Sequence, residues 1–132
     1  MSEFSFTKKE RLKSQKAISK LFETGRSLFS YPVKFLYIIE KLPDDNYCPV
    51  KCGFSVSKRN FRLAVDRNLL KRRMREAYRL NKNKLMIKTR GQRISLNLFI
   101  IYVSKEKEDF FKIQQGITRG LNHINDEIGS YL

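Results

Sequence analysis

The chain has very little of what enzyme active sites and metal centres are built from. Among 132 residues there is one histidine, His123, and there are two cysteines, Cys48 and Cys52. The cysteines stand in "CPVKC", with three residues between them. A structural zinc site normally needs four Cys or His ligands, so this set is too small for one. Two reduced thiols, with Cys52 in a strand, are expected instead. The acids are also few and scattered, 13 Asp and Glu against 28 Lys and Arg, with Asp44 and Asp45 in a turn. A metal-dependent nuclease needs clustered carboxylates and a general-base enzyme usually needs a histidine. His123 falls on the polar side of the last helical segment, where a solvent-facing role is expected. No apolar run reaches the roughly 18 residues of a membrane span, and the N-terminal "MSEFSFTKKERLKSQK" has no apolar core of secretory length. A soluble, cytoplasmic protein with no membrane partner is the expectation.

What is abundant is positive charge. The formal net charge is +15 at pH 7 with a pI near 10.1, while 41% of residues are hydrophobic. The apolar fraction supports one packed core in a single domain over residues 1–132, with a flexible basic N-terminus of about 10 residues expected within it. An uncompensated positive excess self-repels in a compact state, so a polyanionic partner is implied.

Hydrophobic spacing sets out the elements. Residues 16–26 carry Ile18, Leu21 and Phe22 at helical spacing, and Gly25 stands where a helix cap belongs. Residues 31–41 are β-branched and aromatic, with Val33, Phe35, Tyr37 and Ile39 on one face. "LPDDN", residues 42–46, is turn chemistry. Residues 50–58 alternate as a half-buried strand, expected to run antiparallel to the first. Residues 94–103 form a strongly β-prone segment suited to a central strand buried on both faces. From residue 107 to 129, Phe110, Ile113, Ile117, Leu121, Ile124 and Ile128 recur every three or four positions, an amphipathic helix. The fold class is α+β, a small sheet with helices packed on it, in the order α-β-β-α-β-α.

The segment "DRNLLKRRMREAYRLNK", residues 66–82, is the most basic in the chain. On a helical wheel Leu70, Met74, Ala77 and Tyr78 fall within roughly 100° as one apolar stripe. Arg67, Asn68, Lys71, Arg72, Arg75 and Arg79 fill the adjoining sector, with Glu76 beyond it. Solvated helix faces usually mix signs in pairs four apart. Here Arg67, Lys71, Arg75 and Arg79 repeat four apart with like sign, which favours phosphate binding. Arginine forks onto phosphate and stacks on bases, as lysine does not. Strands rather than a second helix flank the segment, which argues against a helix-turn-helix reader of DNA.

"GFSVSKR", residues 53–59, followed by "AVDRN", Lys71-Arg72 and Arg75-Glu76, resembles the signature of the protein subunit of bacterial ribonuclease P. The similarity runs over nearly the whole chain, through "RLKSQKAISKLFETGR", "VKFLYII" and "ISLNLFIIYV". Leu69 occupies the place of the family's usual third arginine, and Ile18 that of a second aromatic. The resemblance implies a left-handed βαβ crossover and a division of labour. An RNA subunit, with Mg²⁺, hydrolyses precursor tRNA to remove its 5′ leader and give the mature 5′ end. The protein binds that RNA and the leader. It implies Arg67, Asn68, Lys71, Arg72 and Arg75, with Lys58, Arg59 and Arg79, as the surface for the catalytic RNA. It also implies Phe22, Phe35 and Tyr37 as the leader cleft. No catalytic residue, no protein metal site and no obligate protein partner are expected. A ribosomal-type or general RNA- or DNA-binding protein would share the charge but not this spacing.

Overall fold

The computed structural model describes residues 6–41 and 49–129. The turn expected at residues 42–46, Cys48 and the first five residues of the N-terminus lie outside the described residues. Helix α1, Gln15–Thr24, leads into strands β1, Arg26–Ser30, and β2, Val33–Lys41. Strand β3, Val50–Val56, is followed by helices α2, Ala64–Asn81, and α3, Asn83–Gln92, then strand β4, Ile94–Tyr102, and helix α4, Phe110–Gly129. The expected α-β-β-α-β-α order is therefore present with β1 and α3 added. "RSLFS" is too short and polar to declare itself a strand, and "NKLMIKTRGQ" has no clear apolar stripe.

The strands lie in the order β1-β2-β4-β3. Strands β2 and β4 pair antiparallel, and β3 pairs parallel with β4. Strand β3 therefore runs antiparallel to β2, as expected, but does not pair with it, because β4 is inserted between them. A parallel neighbour requires a crossover connection, which α2 and α3 supply. Strand β4 is central and largely buried on both faces, as its unbroken apolar run foretold.

Each face of the sheet has its own core. Val33, Phe35, Tyr37, Cys52, Leu98 and Ile100 meet Leu70, Met74, Ala77 and Tyr78 of α2 and Ile113, Ile117 and Ile124 of α4. Leu36 and Phe99 on the opposite face meet Leu12 and Leu21, with Ile18, Ile38 and Ile101 around them. Two glycines let α4 come close: a Cβ on Gly116 would overlap the Tyr31 carbonyl, and one on Gly120 the Phe35 ring. Gly25 caps α1 in extended backbone, φ −70° and ψ 153°, with its amide donating to Leu21 O at 2.9 Å. Crowding is what requires glycine there, since a Cβ would lie 2.5 Å from that oxygen.

From Phe6 onward the N-terminal segment is packed rather than free. The Phe6 ring meets Phe54 and Tyr78 edge-on, with centroids 5.9 and 5.6 Å away. Glu10 is buried, accepts from the Thr7 amide at 2.6 Å, and forms an ion pair with Lys82, itself 1% exposed. This anchors the segment to the α2–α3 junction.

Candidate nucleic-acid interface

Helix α2 buries the four residues that its spacing singles out, Leu70, Met74, Ala77 and Tyr78. The stripe docks against β3 and α4, and this fixes where the cations point. On the α4 side, Arg73 donates from Nη1 to Glu108 O at 2.7 Å. On the flank turned away from α4 lie Asn68, Lys71, Arg72 and Arg75, lining a shallow concavity of about 600 Å³ together with Val65, Asp66 and Leu69. Asp66 stands in the first turn, where its charge suits the helix dipole; it also pairs with Lys107 at 3.3 Å.

The expected stripe divides by what each side chain already holds. Arg67 Nη1 donates to the carbonyls of Phe61 and Arg62 at 2.7 and 2.8 Å, so it braces the loop that leads into α2. Arg79 forks onto Glu76, Nη2 to Oε1 at 2.6 Å and Nε to Oε2 at 3.1 Å. That hydrogen bonding holds the Glu76 carboxyl below its usual range against the opposing effect of desolvation. The wheel places Glu76 outside the cationic sector, but a three-residue separation brings the pair together. Among the described residues Lys71, Arg72 and Arg75 have no carboxylate partner. Lys58 and Arg59 are exposed in the turn after β3, with the Arg59 amide donating to Ser57 Oγ at 3.1 Å.

The expected aromatic cleft is corrected in two of its three members. Phe35 is 0% and Tyr37 4% exposed, on the sheet face covered by α4. Phe35 lies against Gly120, and the Tyr37 hydroxyl donates to Glu127, which also pairs with Arg26. Burial raises the Tyr37 pKa, partly offset by Arg26. Neither ring can meet a base. Alternation shows that they share a face; it cannot say which face, because β2 is apolar on both.

Phe22 is where a cleft residue should be. It is 58% exposed on α1, with its ring edge-on to Phe99 at 5.7 Å. Beside it on the α1-side face of the sheet lie Phe99 and Ile101 of β4 and, opposite Ile101, Lys34 of β2, which sequence reasoning missed. Their signal was the second apolar parity of β2 and β4, next to an aromatic on a helix that already has Leu21 to bury. Gly53 of β3 leaves room for the Phe99 ring, since a Cβ there would lie 2.7 Å from it.

Among the described residues no three His, Cys, Asp or Glu side chains come together as metal ligands. His123 is exposed on α4. Cys52 is buried, and burial pushes its thiol pKa well up, away from the reactive thiolate.

Fold and surface together define a basic α+β domain whose exposed chemistry, guanidinium groups on one flank and the Phe22 ring on the other sheet face, suits a polyanion. The family model for ribonuclease P matches residues 6–124. The ribonuclease P protein component of Porphyromonas gingivalis is 32% identical over 96% of this chain and 91% of its own length. That of Chlorobium phaeobacteroides is 35% identical over 91% and 88%. The solved Staphylococcus aureus RNase P protein superposes with a TM-score of 0.66 over 87% of this chain and 94% of that one, at 20% identity, a likeness of fold. The chain belongs to the ribonuclease P protein family.

Proposed function

We propose that this protein binds the catalytic RNA of ribonuclease P through the outer flank of α2 and holds the 5′ leader of precursor tRNA in the groove beside Phe22. The cleavage chemistry then belongs to the RNA subunit. The observation that carries this reading is the trio Lys71, Arg72 and Arg75: three cations on one helix flank with no carboxylate partner among the described residues. A like-charged row is unfavourable in the isolated protein, and phosphate oxygens are the partners that relieve it. Arg67 and Arg79, tied to loop and helix, hold the flank in shape on either side. Lys58 and Arg59 extend the charge along the turn.

The groove suits single-stranded RNA, gripped by aromatic faces for bases and cations for backbone with little sequence preference. Phe22 supplies the ring and Lys34 the cation, with buried Phe99 backing the Phe22 ring, and the leader residues of this reading are Phe22 and Lys34 rather than Phe35 and Tyr37. In this reading no step through the metal is assigned to this chain. The Mg²⁺ requirement falls to the RNA and substrate.

Reconstitution tests this. Purified RNA-free protein should not cleave precursor tRNA, and should raise cleavage by the ribonuclease P RNA most at low Mg²⁺, where protein cations replace screening ions. Metal-dependent cleavage by the protein alone, or no effect on the RNA at any Mg²⁺ concentration, would refute the reading.

A further inference from the structure

We propose that Phe29 and Lys34 form a second leader-binding station at the β1 edge of the sheet, taking a base and a phosphate further along the strand than Phe22. The proposal rests on the leader groove described above. The register of β1 carries it. Arg26 pairs with Glu127, Leu28 packs into the α4-side core, and Ser30 Oγ donates to Gly116 O at 2.7 Å. These three alternate residues therefore face α4. Phe29, between two of them, faces the α1 side, because successive strand residues point to opposite faces.

On that side Phe29 stands opposite Lys34, and Lys34 opposite Ile101, in one row across three strands. Ile101 is two residues from Phe99, which the Phe22 ring touches. The groove thus continues from Phe22 and Phe99 over Ile101 and Lys34 to Phe29. Two strand spacings separate β4 from β1, about 10 Å, so Phe29 reaches a different base from the one at Phe22.

The exposure of Phe29 is what needs explaining. It is 65% exposed on an edge strand, where natural proteins favour charge and avoid large apolar side chains. Hydrophobic burial would place such a ring inside or replace it. Beside it Lys34 is half-buried without a carboxylate partner among the described residues. The one acid of β2 on this face, Glu40, is six residues away and pairs with Lys20 at 3.4 Å. A ring and a cation side by side, the cation without a carboxylate partner among the described residues, fit the base and phosphate of a single strand. An acidic protein would take up the cation but leave the ring without a stacking partner.

The test uses holoenzyme reconstituted with the ribonuclease P RNA and a series of precursor tRNAs whose leaders lengthen one nucleotide at a time. Wild-type affinity should rise in two steps as the leader reaches first Phe22 and then Phe29. Phe29→Ala and Phe29→Leu should each remove the second step alone, a loss of about five- to 150-fold for long leaders, with short-leader precursor and mature tRNA bound as before. Lys34→Ala should reduce the same step and its salt dependence. Phe22→Ala should weaken every precursor. If Phe22→Ala weakens precursors while Phe29→Ala binds long leaders like wild type, the second station is wrong and the groove stands. If neither variant matters, the groove itself is wrong. Full affinity in Phe29→Leu, equal losses for mature tRNA, or an effect of Phe29→Ala confined to self-association would each overturn the station. Urea melts of the variants keep folding separate from binding.

Discussion

The ring of Phe35 on β2 rests on Gly120 of α4 so closely that no side chain could stand between them. The contact fixes the depth at which α4 seats on the sheet. It also makes Phe35 a core residue, and with it Tyr37 two positions on. Gly120→Ala should therefore be destabilising although alanine is the better helix former. Overpacking of this kind costs typically about 1–3 kcal/mol, against up to about 1 kcal/mol gained in helix propensity. Urea denaturation should show a lower midpoint with an unchanged slope. A stability equal to or above wild type would mean that α4 can shift outward freely.

Glu10 and Lys82 form a second long-range tie, between the N-terminal segment and the α2–α3 junction. Removing one partner leaves a buried charge uncompensated, at a cost of about 3–5 kcal/mol. Glu10→Leu or Lys82→Met alone should lower stability by that order, and Lys82→Met combined with Glu10→Leu should recover much of it. A double-mutant cycle on denaturant midpoints measures this, and strictly additive effects would show that the pair is not coupled.

Arg93 closes α3 in the left-handed region, φ 56° and ψ 44°. A side chain there costs roughly 1–2 kcal/mol that glycine does not incur. Arg93→Gly should raise the melting midpoint modestly, the strain relieved exceeding the entropy that glycine adds to the unfolded chain. A fall in stability would mean that the Arg93 side chain contributes more than its backbone costs.

Much of this was legible in the sequence, and what was not has physical causes. The four buried residues of α2 were plain because a 3.6-residue period admits one stripe. The central position of β4 followed from an apolar run with no polar parity. Sheet order was not legible, since alternation fixes faces but says nothing about which strand lies beside which. Phe35 and Tyr37 went to the wrong face because Leu36 and Ile38 make the other parity of β2 equally apolar; only the glycines of α4 decide between them. The pairing of Arg79 with Glu76 was hidden because a wheel divides a helix into rigid sectors, although side chains three apart can reach each other.

Cys52 offers a pH test of the core. Burial raises its thiol pKa, so the folded state holds the proton more tightly than the unfolded chain. The resulting stability is fully present below the ordinary thiol pKa, about 8.5, and declines as pH rises above it. At a pH of about 8, just below that value, alkylation of Cys52 followed by peptide mapping should track unfolding by urea. Rapid labelling of the native protein would place the thiol at the surface.

The central claim is that the outer flank of α2 is the surface that meets RNA. A salt titration of binding to the ribonuclease P RNA tests it directly, with wild type beside Arg72→Ala, Arg75→Ala and Arg73→Ala. Removing a cation that neutralises one phosphate should flatten log K against log salt by about 0.7–0.9. Arg72→Ala and Arg75→Ala should each weaken binding and reduce the slope in this way. Arg73, which already donates to Glu108 O on the α4 side, should leave the slope unchanged when replaced, with some fall in stability. Parallel lines for Arg72→Ala, Arg75→Ala and wild type would contradict the account and make the flank a solvated helix face.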